Sequence, residues 1–202
     1  MILGTSLKHG GYYHFRVHKL KLEGLSGNGF GSLKEYIYRV MDSCPDHHFH
    51  SGPRSSVLKF DVGADVEESG HEVEVLARMG LESGYYDNAH LNVQMFMLAY
   101  DNKTVAIEVP IWLEPSEFRG FIDLFGEDSS LSGHIDVVRV EDGKVWVWDF
   151  KPNAHREKYA STQVFFYALM LSKRSGIPLN KFMCGYFDEK RSFVFDPSKV
   201  SL

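Results

Sequence analysis

Two aspartates and a lysine stand in chain segments that are otherwise apolar. Asp136 lies in the segment HIDVVRV, and Asp149 and Lys151 lie in the segment VWVWDFK. Carboxylate oxygens are ligands that Mg²⁺ favours, and a lysine beside them stabilises negative charge that develops on a phosphate. These residue types indicate metal-assisted phosphate chemistry, provided that the fold brings the three side chains together.

The dipeptide Asp142-Gly143 predicts a two-residue hairpin turn between these segments. Such a turn places Asp136 directly opposite Asp149, with their Cβ atoms roughly 5 Å apart. Lys151 lies two residues beyond Asp149 and therefore points to the same face of the sheet.

Two like charges that face each other destabilise a sheet unless something compensates for them. The compensation is a raised pKa of one aspartate, an ion pair with Lys151, or a divalent cation that also lowers the pKa of a bound water. The alternative interpretation is structural. Asp136 is then an edge-strand charge, Asp149 ends its strand, and Lys151 takes part in a surface ion pair.

The elements predicted around this hairpin follow the order α-β-β-β-α-β. A helix over NAHLNVQMFMLAYD precedes a strand at 103–113, and a long connection leads to the hairpin. A helix over STQVFFYALMLSKRSG follows, with Gly176 as its C-cap, and two strands over KFMCGYF and RSFVF close the chain. We therefore expect an α/β fold with a central mixed β-sheet flanked by helices.

Residues 1–85 are predicted to form a helical and β lobe that packs on a core at 86–202, the whole making one compact domain. The lobe contains a predicted strand at 12–22 and a helix over LKEYIYRVMDS that Ser32 caps. A further strand is predicted over SSVLKFDV, and one or two short helices over DVEESGHEVEVLARMGLESG.

Three motifs in this order, GHID, WDFK and QVFFY, resemble the GxxD…(D/E)xK…QxxxY pattern of the PD-(D/E)XK nuclease superfamily. The similarity covers roughly residues 88–187 and is closest to the RecB-type exonucleases and their CRISPR-associated relatives. The restriction-endonuclease-like αβββαβ core of that superfamily agrees with the predicted order of elements.

The resemblance implies roles for the residues of these motifs. Asp136 and Asp149 would bind Mg²⁺ or Mn²⁺, the backbone carbonyl of Phe150 would add a ligand, and Lys151 would be catalytic. Proteins of this type also supply a histidine or glutamate from the helix before the first core strand.

Two histidines are candidates for that ligand. His90 lies on the expected helix, whereas His71 follows a glycine, as in the RecB-type motif, but lies one element earlier. We favour His90 and retain His71 as the alternative, since imidazole suits Mn²⁺ better than an all-oxygen site does. Glu108, a polar residue in the apolar strand at 103–113, either supports the metal ligands or faces solvent.

Gln163 and Tyr167 are four residues apart and therefore share one helix face. In the superfamily such a pair faces the active site and binds DNA or positions the lysine. The alternative is an ordinary packing face. Four basic residues flanking this helix are candidates for phosphate contacts: Arg156, Lys158, Lys173 and Arg174.

The resulting hypothesis is a metal-dependent DNA nuclease, most similar to a RecB-like exonuclease. An endonuclease of the restriction or resolvase type on the same fold is one alternative, and a module that binds nucleic acid without cutting it is another. The net charge of −5 argues against a non-specific nucleic-acid coat protein, because phosphate binding depends on lysine and arginine.

The cysteines and the chain's apolar segments set further expectations. The CRISPR-associated relatives bind an iron–sulfur cluster through four cysteines, and this chain has only Cys44 and Cys184, so no such cluster is expected. The segment CPDHHFH lacks a second cluster to close a zinc site and is interpreted as a solvated loop.

Without an apolar leader or an 18-residue apolar span, we expect a soluble cytoplasmic protein with no membrane partner. Its expected partners are DNA and either a second copy or recombination and repair proteins.

Overall fold

The computed structural model describes residues 1–202 and contains one sheet of eight strands. The strands are β1 (Ile2–Lys8), β2 (Tyr12–His18), β3 (Glu67–Glu68), β4 (Thr104–Leu113), β5 (Leu131–Glu141), β6 (Lys144–Phe150), β7 (Phe182–Phe187) and β8 (Ser192–Phe195). Their order across the sheet is β1-β2-β4-β5-β6-β7-β8-β3. The helices are α1 (Lys19–Gly24), α2 (Gly31–Asp42), α3 (Val73–Ser83), α4 (Ala89–Tyr100), α5 (Phe121–Phe125) and α6 (Ala160–Ser175).

Helices cover both faces of this sheet. The larger core cluster lies between the sheet and the helices α2 and α6, and it includes Ile37, Val138, Val147 and Phe166. The smaller cluster lies between the other face and the helices α3 and α4. The predicted α/β architecture is confirmed, and the segment from α4 to β7 follows the predicted α-β-β-β-α-β order apart from the short helix α5 in the connection between β4 and β5.

The hairpin β5–β6 has the predicted turn. Asp142 and Gly143 have φ values of 50° and 70°, the left-handed conformation at both positions that a type I′ turn requires. The turn fixes the register that pairs Val140 with Val145. The main-chain ladder continues to Val137–Trp148, one residue before the two aspartates.

A parallel pair of strands places α6 over the site. β6 and β7 are parallel, and parallel neighbours need a crossover connection, which here contains α6. The buried face of α6 packs on the sheet, and the helix ends as predicted at Gly176, whose φ is 72°. The first turns of α6 therefore lie near the end of β6, where Asp149 is located.

The N-terminal residues contribute strands to the same sheet as the predicted core. The β1–β2 hairpin pairs with β4, and β3 pairs with β8 at the opposite edge. These pairings extend the sheet at both ends without a break.

Four local predictions differ from the structure. The strand predicted at 12–22 ends at His18, and the residues after it form α1. β1 was not predicted, because its alternation of apolar and polar residues is weak over ILGTSLK. The strand predicted over SSVLKFDV is absent, and a short 3-10 turn at Ser55–Val57 is found instead. The N-cap of α2 is Phe30 rather than Ser32, and no side chain caps that helix.

Candidate active site

A polar cavity of about 170 Å³ opens at the end of β6 and is lined in part by residues of α4 and α6. Most of the motif residues line it together with residues of the N-terminal segment. The lining consists of Tyr13, Arg54, Ser56, His90, Glu108, Gly133, His134, Asp136, Asp149, Lys151, Gln163 and Tyr167.

The two predicted aspartates both reach this cavity. Asp136 and Asp149 are 9% and 2% exposed, and the neighbouring strand positions place both on the face of the sheet that α6 covers. The Oδ2 atom of Asp136 accepts a hydrogen bond of 2.9 Å from the backbone N–H of Phe150. The Asp136 side chain thus binds the backbone of the strand that carries Asp149, which fixes the spacing of the two carboxyl groups.

Lys151 forms an ion pair inside the cavity. Its Nζ lies 2.8 Å from Oδ2 of Asp149, and the lysine side chain is 22% exposed. Burial lowers the pKa of Lys151, but the charges of Asp149 and Asp136 outweigh burial, so the pKa is raised on balance. Lys151 is therefore a cation held at the mouth of the carboxylate cluster.

A third carboxyl group comes from the middle of β4. Glu108 has a φ of 53°, a left-handed conformation that is rare for a residue with a side chain. On β4, Ala106 packs in the larger core cluster before this point, and Val109 and Ile111 do so after it, so the alternation of the strand changes phase at Glu108. The irregularity turns the Glu108 side chain into the cavity, where its Oε1 accepts a 2.7 Å hydrogen bond from Gln94 Nε2.

Proximity of the carboxyl groups changes their acidity. Burial raises the pKa of Asp136 well above its ordinary value, and the charges of Asp149 and Glu108 raise it further. Burial and the charge of Asp149 also raise the pKa of Glu108, while the hydrogen bond from Gln94 opposes that change. The cluster is therefore short of positive charge in the absence of an added cation.

The donor set fits a hard divalent cation. Asp136, Asp149 and Glu108 supply carboxylate oxygens, which Mg²⁺ and Mn²⁺ favour. A divalent charge placed among them would offset the repulsion that raises the pKa values of Asp136 and Glu108. Phe150 donates its N–H to Asp136, so its backbone lies at the cluster.

The two candidate histidines occupy different places. His90 lines the cavity, with its Nε2 3.9 Å from Asp136 Oδ2 and its ring edge-on to Phe150. Burial lowers the pKa of His90, which favours the neutral form that binds metals. His71 is outside the cavity, with its Nε2 3.1 Å from Glu141 Oε1, so the geometry excludes it from this cluster.

Gln163 and Tyr167 both face the cavity from α6. The Nε2 atom of Gln163 donates to the Tyr167 hydroxyl at 2.8 Å and contacts Asp149 Oδ1 at 3.3 Å. Gln163 therefore links the helix to the Asp149 carboxylate. Burial raises the pKa of Tyr167, and the charge of Asp149 raises it further, so the phenol stays protonated.

The basic residues predicted to contact phosphate differ in availability. Arg156 and Lys158 are exposed in the connection between β6 and α6, next to the cavity. Lys173 is exposed at the far end of α6. Arg174 pairs with Glu117, and its guanidinium lies 4.7 Å from the Trp112 ring centroid. Arg174 is thus engaged within the protein, which argues against the phosphate contact predicted for it.

Several lining residues were missed or ranked low in the sequence. Arg54 comes from the polar loop before the core, and its guanidinium donates to the backbone oxygen of His9 and to the Tyr13 hydroxyl. His134 lies inside the motif GHID, where a buried position gives no pattern that marks it as functional. Gln94 does not line the cavity but donates to Glu108, and it had a usable signal, because it lies four residues after His90 on the same helix face.

The comparison with protein families decides the affiliation of the chain. The family model described as the PD-(D/E)XK nuclease superfamily matches residues 54–201. The chain belongs to the PD-(D/E)XK nuclease superfamily. No curated protein and no solved structure gives a match to this chain.

Membership in this nuclease superfamily supports phosphodiester hydrolysis with divalent metals and a nucleic-acid substrate. The matched region includes every residue of the carboxylate cluster and both residues of the α6 pair. It begins at Arg54, so this arginine belongs to the matched region too. No helix has both the length and the apolar character needed to cross a bilayer.

Proposed function

We propose that this protein is a metal-dependent deoxyribonuclease, and more specifically a RecB-like exonuclease. The single observation that carries the proposal is the convergence of Asp136, Asp149 and Lys151 in one polar cavity. The contacts of Gln163 and the position of His90 add the accessory residues typical of the RecB-type resemblance.

The carboxylates would hold the cation, and the other residues act on the substrate around it. Asp136, Asp149 and Glu108 supply the oxygen ligands, with His90 and the Phe150 carbonyl as further candidates. A divalent ion bound there supplies a Lewis acid for the phosphate and lowers the pKa of a bound water.

The chain's own groups position the phosphate and stabilise its charge. Lys151 carries its ammonium 2.8 Å from Asp149, where it neutralises charge that develops on the phosphate. Gln163 restrains the Asp149 carboxylate through its contact at 3.3 Å. Arg54 lines the same cavity and offers a second cation for the DNA backbone.

Exposed cations extend this surface outside the cavity. Arg156 and Lys158 lie on the connection between Lys151 and α6, and we assign them to contacts with neighbouring phosphates. Lys173 is about ten residues from Gln163 along α6, or roughly 15 Å, so it is expected to contact a more distant part of the strand.

Digestion of labelled DNA tests the proposal. Wild-type protein with Mg²⁺ or Mn²⁺ is expected to degrade end-labelled linear DNA, and both Asp149→Ala and Lys151→Ala are expected to abolish the reaction. Activity that survives both substitutions would contradict the assigned site. A wild type that cuts nothing with either metal would favour a module that binds without cutting.

A second comparison separates the two cutting modes. Linear DNA whose products shorten progressively from one end supports an exonuclease, whereas a nicked or opened circular substrate supports an endonuclease. Single-stranded and double-stranded forms of the same sequence give the strand preference, and labels at the 5′ and 3′ ends give the polarity.

A further inference from the structure

A second group of metal-ligating side chains lies beside the active site. His9, Cys44 and Asp46 each place one ligand atom within 4.8 Å of the other two. His9 follows β1, and Cys44 and Asp46 follow α2, so the group joins two distant parts of the N-terminal segment. The sequence did not reveal it, because His9 is 35 residues before Cys44.

The ligand atoms of His9 and Cys44 both lie near one carboxylate. His9 Nε2 lies 2.9 Å from Asp46 Oδ1, and the Cys44 sulfur lies within 4.8 Å of the ligand atoms of His9 and Asp46. If the ring proton of neutral His9 moves from Nε2 to Nδ1, next to His134, and Cys44 releases its thiol proton, a nitrogen lone pair and a thiolate face the same space as the carboxylate. A cation in that space would therefore displace one proton, that of the thiol, as is usual when a metal binds a cysteine.

We propose that His9, Cys44 and Asp46 form a zinc-binding site. Thiolate, imidazole and carboxylate are the three ligand types that zinc takes, in a tetrahedral arrangement that leaves one position for water. One thiolate and one carboxylate balance the charge of a divalent ion, so the loaded site is neutral and compatible with the nearby Arg54. This site is separate from the carboxylate cluster and does not depend on the nuclease activity.

The surroundings of His9 fit those of a metal ligand. Its other ring nitrogen, Nδ1, lies 2.8 Å from His134 Nε2, and a hydrogen bond at that second nitrogen is a usual feature of ligating histidines. Phe49 stacks on the ring at a centroid distance of 3.9 Å and fixes its plane. His9 is 1% exposed, so its orientation is set by packing rather than by solvent.

The connection through His134 gives the site a structural role in the active site. The rings of His134 and Tyr13 stack with a centroid distance of 3.6 Å, and both line the cavity of the proposed active site. His134 is also only two residues before Asp136 in β5. A metal at His9 would fix the β1–β2 turn to the end of α2 and thereby hold this wall of the cavity.

A metal-free alternative makes different predictions. Arg54 Nη2 lies 3.5 Å from His134 Nδ1, so hydrogen bonds can run from Arg54 through His134 and His9 to Asp46. In that arrangement His9 keeps its Nε2 proton and Cys44 remains a thiol. Burial of Cys44 and the nearby charge of Asp46 raise the thiol pKa to about 12, which agrees with a thiol in the metal-free arrangement.

Cobalt substitution distinguishes these arrangements in the full chain. Chelator-treated protein is titrated with Co²⁺, and a thiolate-to-cobalt charge-transfer band that Zn²⁺ then removes is expected. Cys184 is fully buried, so the band reports Cys44. Wild-type protein without such a band would overturn the proposal, and this measurement does not depend on any variant folding.

Variants locate the ligands and separate this site from the nuclease site. Cys44→Ser and Asp46→Asn are each expected to weaken Zn²⁺ binding at least about 100-fold. Loss of a residue that only hydrogen-bonds to a metal ligand weakens binding about 10–100-fold, so a larger effect indicates a direct ligand. His47→Ala, an exposed position in the same segment, and Asp149→Asn, in the carboxylate cluster, are expected to keep the cobalt band. A band that survives in Cys44→Ser, or disappears in Asp149→Asn, would contradict the assignment.

Discussion

Glu108 lies opposite Asp136 across the β4–β5 pair, between the neighbouring pairs Ile107–Val137 and Val109–Ile135. The pairs from Ala106 to Leu113 keep one register, after a shift between Thr104 and Ala106, whereas Glu108 itself has a φ of 53°. A strained backbone that concentrates a third carboxyl group beside Asp136 costs stability, and such features cluster at functional sites. The relationship makes Glu108 a functional candidate that the sequence alone left undecided.

Glu108→Gln is expected to stabilise the metal-free protein by up to about 1 kcal/mol, because it removes a charge that repels Asp136 and Asp149. The amide still accepts the hydrogen bond from Gln94. Nuclease activity is expected to fall about 10–100-fold, as for other groups that support metal ligands. Chemical denaturation and DNA digestion measure the two effects, with the exposed Glu82→Gln as control. Lower stability in Glu108→Gln would contradict the repulsion argument.

The link between Gln163 and Tyr167 makes their substitutions non-additive. Gln163→Ala is expected to reduce activity about 10–100-fold, since it frees the Asp149 carboxylate. Tyr167→Phe removes only the hydroxyl that accepts from Gln163 and should have a smaller effect. If the two residues act as one unit, the double variant is no slower than Gln163→Ala. Multiplied effects in the double variant would show independent roles.

Gly133 is required for the packing of α6 beside the cavity. A Cβ atom at this position would overlap Ser55 Oγ and the ring of Tyr167. Gly133→Ala is therefore expected to destabilise the fold by about 1–3 kcal/mol and to displace Tyr167. Gly24→Ala is the matched control, because a Cβ there meets no atom within 4 Å and its φ of −61° suits alanine. Thermal denaturation compares the two, and equal melting temperatures would refute the packing argument.

A buried ion cluster on the opposite face of the sheet predicts acid sensitivity. Glu141 lies 2.9 Å from Lys103, 3.2 Å from Arg139 and 3.1 Å from His71. Burial raises the pKa of Glu141, but these partners lower it to about 2 from an ordinary 4.5. A lowered folded-state pKa contributes stability that is present above pH 4.5 and is lost as the pH falls through about 2.

Glu141→Gln is the test of that contribution. The stability difference between wild type and Glu141→Gln is expected to shrink by about 3 kcal/mol between pH 5 and pH 2. Urea denaturation at several pH values gives the difference directly. A difference that stays constant over this range would show that the Glu141 carboxylate has no lowered pKa.

Local chemistry made much of the hairpin predictable. Asp142-Gly143 permits one tight turn, and the period-2 alternation then determines which face each side chain takes. The positions of Asp136, Asp149 and Lys151 follow from those two rules. Gly176 marked the end of α6 for a similarly local reason, because it adopts a left-handed conformation.

Features that depend on distant contacts were not predictable in this way. The left-handed backbone at Glu108 has no local signature, since glutamate does not favour that conformation. Arg54, Tyr13 and His134 meet only because the β1–β2 hairpin pairs with β4 in the folded sheet. His71 and His90 were both reasonable from spacing. The fold separates them because His71 lies beside Glu141, next to the β5–β6 turn, whereas His90 lies near Asp136.

Mn²⁺ binding measured by electron paramagnetic resonance tests the central claim that Asp136 and Asp149 share one divalent ion. Wild-type protein is expected to bind Mn²⁺, and Asp136→Asn and Asp149→Asn are each expected to weaken binding by more than about tenfold. Asp142→Asn makes the same chemical change at the turn of the same hairpin, where asparagine suits the conformation, and should bind like wild type. Undiminished Mn²⁺ binding in both Asp136→Asn and Asp149→Asn would contradict the account.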